Sequence, residues 1–151
     1  MFNQKWDLRF LALAQHVAQW SKDPSTKVGA VIVRPDRTIA SMGYNGFPRG
    51  MDDAPQKYED RKYKLAHTVH AEINAIANAH EPVRGYCLFT SLPVCASCSL
   101  SVIQHGIDRV VSGYATVEQY ARWGMSMLAA ADNFYQVNIP VRYYYEEQIS
   151  D

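Results

Sequence analysis

The feature that most narrows the folds open to this chain is a set of three metal donors split between two remote segments. One is His70, in His70-Ala71-Glu72. The others are Cys95 and Cys98, in Pro93-Val94-Cys95-Ala96-Ser97-Cys98. One imidazole and two thiolates make a three-ligand zinc set, which leaves the fourth tetrahedral position to water. A structural zinc site would close that position with a fourth Cys or His. Both donor groups fall at predicted helix N-termini, where unpaired backbone N–H groups and the helix dipole favour negative charge. That setting lowers the pKa of Cys95 and Cys98 and suits both thiols to zinc. Residues two apart do not share a face in mid-helix. In a first turn, however, His70 and Glu72 can both point past the helix end, so Glu72 can reach a water at the metal without being a ligand. His-x-Glu alone is a weak signal, and Cys-x-x-Cys alone could be a redox pair or half of a structural site. In this order, with fitting elements between them, the two patterns are specific.

The rest of the composition is that of an ordinary folded protein. At 151 residues the chain reads as one domain, 1–151, with length for a real core. About half of it is apolar (48%) and a fifth is charged (20%). Fifteen basic residues balance fifteen acidic ones. That balance argues against a nucleic-acid partner, whose binding surfaces are usually basic. No apolar run is long enough to span a membrane. The start, Met1-Phe2-Asn3-Gln4-Lys5-Trp6-Asp7, lacks the build of a signal peptide. With three cysteines and no such signal, the expectation is a cytoplasmic protein without a disulfide framework.

Trp6, Phe10, Leu13, Val17 and Trp20 recur at helical spacing and predict an amphipathic helix over 4–20, ended by Pro24. His16 reads as a surface or partly buried residue of that helix. Residues 28–33 form an apolar run that fits a buried strand. Pro35-Asp36-Arg37 makes a turn, and 38–44 reads as the antiparallel return strand. Residues 47–66 read as a long irregular segment, with a helical turn or two in 58–65. So long a loop in a compact domain is usually functional or disordered. A helix over 69–79, a strand over 86–90, a helix over 98–104 stopped near Gly106, a strand at 109–111, a helix over 117–134 and a strand over 141–145 complete the order. Cys87 reads as a core residue. Tyr120, Trp123, Met127 and Leu128 read as the apolar stripe of the long helix, for core or subunit contacts. The order α-β-β-α-β-α-β-α-β implies an α/β fold, a sheet sandwiched by helices. Its first two strands form an antiparallel hairpin, and the later, helix-connected strands run parallel.

His-x-Glu followed by Pro-Cys-x-x-Cys is the pattern of the zinc nucleobase deaminases. Here Val94 stands between the proline and the first cysteine, which leaves the ligands in place. Three longer segments add to it. They are Asp23-Pro24-Ser25-Thr26-Lys27-Val28-Gly29-Ala30, Gly43-Tyr44-Asn45-Gly46-Phe47-Pro48-Arg49-Gly50 and Val69-His70-Ala71-Glu72-Ile73-Asn74-Ala75-Ile76. With them the chain resembles the deoxycytidylate deaminases of the cytidine deaminase superfamily, over roughly residues 5–112. The C-terminal quarter matches only loosely. The Gly-Tyr-Asn-Gly-x-Pro segment is the specific part, because tRNA adenosine deaminases share the zinc motifs and usually lack it.

The resemblance implies a three-layer αβα cytidine-deaminase-like sandwich around a central five-stranded mixed sheet. It implies a zinc-dependent hydrolase, with one catalytic Zn2+ per chain, that turns dCMP into dUMP and ammonia and so supplies dUMP for thymidylate synthesis. His70, Cys95 and Cys98 would hold the metal, and Glu72 would move the protons. Zinc makes hydroxide available from water near neutral pH. Attack then falls on the carbon bearing the exocyclic amine, C4 of cytosine. Asn45 matches the family asparagine that hydrogen-bonds the sugar 3′-hydroxyl. Ser25, Thr26 and Lys27 match the loop near the substrate phosphate. Ala71 and Tyr114 complete the expected substrate set, with a packing role for Tyr114 standing beside that reading. Tyr44, Asn45, Gly46 and Arg49 fall in the region where a nucleotide effector binds. Members are often hexamers activated by dCTP and inhibited by dTTP, and a triphosphate effector would bring Mg2+. From the residues themselves, Lys27 or Arg49 could supply a cation for a phosphate. A deaminase of another nucleoside, a free base or a tRNA adenosine remains open. So does a silent zinc or nucleotide-binding module, although Glu72 would have no use in one.

Overall fold

A computed structural model describes residues 3–149. Asn3 caps α1 (Gln4–Ala18) by accepting a hydrogen bond from the Trp6 N–H. The helix buries Phe10, Leu11, Ala14, Val17 and Ala18. Trp20, expected on that stripe, lies beyond the helix end and is half exposed. The face rotates because Leu11, Ala14 and Ala18 fit against the sheet more closely than the indoles do. β1 (Gly29–Val33) is buried at every residue. It pairs antiparallel with β2 (Ile39–Tyr44) in the expected hairpin. Its side chains alternate: Val31 and Val33 face α1, whereas Ala30 and Ile32 face the other layer.

Residues 47–66, expected to be mostly irregular, instead carry α2 (Pro55–Glu59) and lead into α3 (Arg61–His67). Pro55 starts α2, and the Asp60 carboxylate caps α3 at the Tyr63 N–H. Phe47 stacks flat on Tyr58 at 4.1 Å, and Tyr63 on His67 at 3.9 Å, so the segment has a small aromatic core of its own. Next come α4 (Ala71–Asn78), β3 (Cys87–Thr90), α5 (Ala96–Gln104), β4 (Arg109–Gly113), α6 (Val117–Gln136), β5 (Val141–Tyr144) and α7 (Glu146–Ile149). A Thr116–Gln119 capping box starts α6. That helix buries Met127, Ala130 and Phe134, while Leu128 points out to solvent. Leu128 follows Met127 directly, so the two cannot share a face.

The strands lie in the order β2-β1-β3-β4-β5. β3, β4 and β5 are parallel, as helix connections require, and β3 runs antiparallel to β1. One face carries α1 and α7 over Val31, Phe89 and Val111. The other carries α4, α5 and α6 over Ile32, Leu88 and Val110. The result is the expected three-layer αβα sandwich around a mixed sheet. Two glycines set its spacing. A Cβ at Gly29 would lie 2.0 Å from the Ala14 carbonyl oxygen, and one at Gly43 would lie 2.4 Å from the Ala75 nitrogen. Glycine at Gly43 thus lets α4 sit directly on β2, which places the start of α4 at the end of the sheet.

Candidate active site

His70 is the N-cap residue of α4 and Cys95 that of α5, so both donor groups stand at helix starts as predicted. Neither side chain caps its own helix, and both are left to face each other. The residue before His70 is pinned by a two-bond bridge, Gly46 N–H to the Val69 carbonyl and Val69 N–H to the Gly46 carbonyl. That bridge ties the Gly43–Gly50 segment to the first metal donor. His70 Nδ1 lies 3.4 Å from Cys95 Sγ and 3.2 Å from Cys98 Sγ. All three donor atoms lie within 4.8 Å of one another. Metal bonds of about 2.0 Å to nitrogen and about 2.3 Å to sulfur give a tetrahedral N···S separation of about 3.5 Å. The donor set therefore fits zinc with little adjustment. The Cys95 thiol is lowered to about 3, chiefly by the hydrogen bond from Cys98 and further by His70 and Ser97. Cys98 shifts upward, first as the donor in that pair and then through burial. The thiolate beside His70 raises the imidazole pKa. Cys87, in β3, is a core residue whose thiol burial raises to about 12.

Glu72 lies in the first turn of α4, beside this set, and is only 4% exposed. Burial pushes its carboxyl above the usual carboxylate range. Its Oε1 lies 3.2 Å from the Thr90 hydroxyl at the end of β3, and that hydroxyl also donates to the Leu92 carbonyl at 2.9 Å. A carboxyl so placed can exchange protons with a group bound at the open metal position.

His70, Glu72 and Cys95 line a cavity of about 210 Å³. Ser25, Thr26, Asn45 and Ala71, four of the residues expected to meet substrate, line it. The buried Asn45 ties the loop in place. Its Oδ1 accepts from the Val28 N–H at 2.9 Å, and its Nδ2 donates to the Thr26 carbonyl at 2.9 Å. Thr26 and Val28 both line the cavity, whereas Lys27 between them is exposed and lies outside the lining. Tyr114 lies elsewhere, stacked on Tyr143 at 5.2 Å and on Tyr145 at 4.2 Å. Of the expected effector residues, Tyr44 is exposed and meets Trp20 edge-on, and Arg49 donates to Asn78 Oδ1 at 2.8 Å. Tyr44, Gly46 and Arg49 lie outside the cavity lining.

The opposite wall was not foreseen. From α3 it takes Arg61, Lys64 and Leu65, followed by Thr68, and from α6 it takes Arg122, Trp123, Ser126 and Met127. Asp23 holds the α3 side. Its Oδ1 accepts from the Ser25 N–H at 2.8 Å, the Thr26 N–H at 3.1 Å and Lys64 Nζ at 3.1 Å. Asp23 and Lys64 are both buried. On the α6 side, Ser126 Oγ accepts from the Ala96 N–H at 2.9 Å, which fastens α6 to the first turn of α5. One signal for the α3 wall was present: Arg61, Lys64, Leu65 and Thr68 are spaced i, i+3, i+4 and i+7. Trp123 and Met127, read only as packing residues, also face the cavity.

Residues 4–114 match the model of the cytidine and deoxycytidylate deaminase zinc-binding region. The chain is 39% identical over 137 residues to an uncharacterized deaminase in the luxG 3′ region of Aliivibrio fischeri, covering 91% of this chain and 92% of that one. It is 37% identical over 115 residues to the human deoxycytidylate deaminase, covering 71% of this chain and 64% of that one. The crystal structure of the dCMP deaminase from cyanophage S-TIM5 in complex with dCMP and dUMP shares the fold. It has a TM-score of 0.72 and 21% identity, and the match covers 95% of this chain and 100% of that one.

Proposed function

The chain belongs to the cytidine and deoxycytidylate deaminase family of zinc-dependent hydrolases, and from that premise we propose that it converts dCMP into dUMP and ammonia. The observation that carries this reading is Glu72, buried beside a His70–Cys95–Cys98 donor set at a cavity. His70, Cys95 and Cys98 would hold the ion. When bound, zinc supplies the Lewis acidity that lets water act as a nucleophile near neutral pH. Glu72 would accept one proton from the attacking water and deliver it to the ring nitrogen next to the attacked carbon. It would then carry the second proton, from the newly added hydroxyl, to the amine, which leaves as ammonia as the carbonyl forms. A carboxyl already biased toward its protonated form by burial suits the acid half of that cycle. Asn45 and Thr26 frame the sugar side. Leu65, Trp123 and Met127 exclude water from the base.

The choice of dCMP is supported by relatives that bear the deoxycytidylate deaminase name and by the Gly43–Gly50 segment. An oligomer, with a hexamer as the specific expectation, is supported by apolar residues standing out on α6: Val117, Met125, Leu128 and Tyr135 are 69–86% exposed. Activation by dCTP and inhibition by dTTP, with Mg2+ accompanying the triphosphate, would act through Tyr44, Asn45, Gly46 and Arg49. No helix among the described residues is long and apolar enough to cross a membrane, and a cytoplasmic setting suits three free cysteines and a nucleotide substrate. The test is ammonia release from dCMP, deoxycytidine, CMP, guanine and tRNA, with and without dCTP. We expect dCMP to lead and its saturation curve to change from sigmoidal to hyperbolic with dCTP. Equal efficiency on dCMP and deoxycytidine would overturn the substrate.

A further inference from the structure

Two guanidinium groups at the mouth of the cavity have no anionic partner. Arg61 begins α3 and Arg122 lies in the second turn of α6, and both line the cavity. Among the described residues, Arg61 makes no hydrogen bond or ion pair. Arg122 has only the Trp123 ring, 5.7 Å from its guanidinium carbon. The other lining cation, Lys64, is buried and held by Asp23. Its charge and the aspartate's cancel within the wall. Away from the metal donors and Glu72, the positive charge of the lining is therefore carried by Arg61 and Arg122, which come from two separate helices of the same wall. Lys27, the cation of the phosphate-loop motif, is exposed and outside the lining, because its neighbours Thr26 and Val28 take the two inward positions.

We propose that Arg61 and Arg122 together bind the 5′-phosphate of the substrate, and so decide between a nucleoside monophosphate and a nucleoside. This assignment rests on the dCMP reading above. It puts substrate selection on two residues outside every motif, one of them beyond the family-matched span 4–114. Guanidinium suits the task, since its planar fork can meet two phosphate oxygens at once and stays charged at all working pH values. Both side chains are solvent-exposed before substrate arrives, so their alanine variants should fold.

The test compares calorimetric binding of dCMP and deoxycytidine to the zinc-loaded Glu72→Gln protein, which holds both ligands without turnover. The background protein should bind dCMP at least about tenfold more tightly than deoxycytidine. Arg61→Ala and Arg122→Ala should each remove most of that difference, and the double variant should bind the two ligands alike. Deoxycytidine affinity and zinc content should not change, and Lys27→Ala should keep the full difference. Arg61→Lys and Arg122→Lys should fall between, having charge without the fork. A difference that survives in the double variant overturns the assignment and leaves the dCMP reading standing. A background protein that binds dCMP and deoxycytidine equally overturns both.

Discussion

His70, Glu72 and Cys95 face Arg61, Leu65 and Trp123 across one cavity, yet the two sides are built on different terms. The first side stands on helix starts packed against the sheet. Gly43 lets α4 touch β2, the Gly46–Val69 bridge pins His70, and Glu72 is sealed in beside Thr90. The second side hangs on fewer contacts: Lys64 to Asp23 from α3, and from α6 Ser126 to the Ala96 N–H, Asn133 to the Ser99 hydroxyl, and the buried Met127, Ala130 and Phe134. Its cavity-facing tips, Arg61, Leu65 and Arg122, are exposed. The rigid side is suited to bond-breaking, where donor positions must hold to within tenths of an ångström. The hung side is suited to choosing and enclosing a substrate, where side chains can reorganise. If so, changes on the two sides should have different signatures.

The largest effect should come from Glu72→Gln, which keeps the size and shape of the side chain but cannot take up and release a proton. Turnover should fall on the order of 10⁴-fold with zinc content and dCMP binding retained. Near-normal turnover would mean that another group moves the protons. The next largest concerns the thiols. With the metal removed by a chelator, iodoacetamide at pH 8 should modify Cys95, whose thiol is lowered to about 3, and spare Cys87, raised to about 12. Cys87 gains thiolate only as pH rises toward that value, so at pH 8 about 10⁻⁴ of it is reactive. Peptide mass mapping reads the result, and equal labelling would place Cys87 outside the core. On the hung side, Lys64→Met should leave Asp23 buried without its cation and lower stability by about 3 kcal/mol, measured by urea unfolding. Zinc content should be unaffected, because none of the three metal donors lies on α3. Smallest is Trp123→Ala, which should reduce kcat/KM about tenfold with zinc and fold intact. A loss of zinc in Trp123→Ala would show the two sides to be one unit.

Much of the first side was legible in the chain itself. His70, Glu72, Cys95 and Cys98 are recognisable because metal chemistry restricts residue type and spacing within a few residues, and helix starts are marked locally. The sandwich followed from strand and helix periodicity in the same way. Trp20 lies off the buried face that its spacing suggests, and the stripe of α6 splits into a buried Met127 and an exposed Leu128, since periodicity reports that an element is amphipathic and leaves its rotation against a neighbour to packing.

What the sequence by itself determined, then, is the His70–Cys95–Cys98 set, the glutamate beside it, the hairpin and the alternation of elements, all local consequences of residue type. Tertiary structure alone decided the order of strands and the side of the cavity on which each cation falls. Lys64 meets Asp23 from 41 positions away and Ser126 meets Ala96 from 30, and neither tie leaves a pattern along the chain. Lys27 turns outward while Arg61 and Arg122 line the opening. That outcome depends on how separate elements close on one another, a free-energy balance over the whole core that no short window of residues contains.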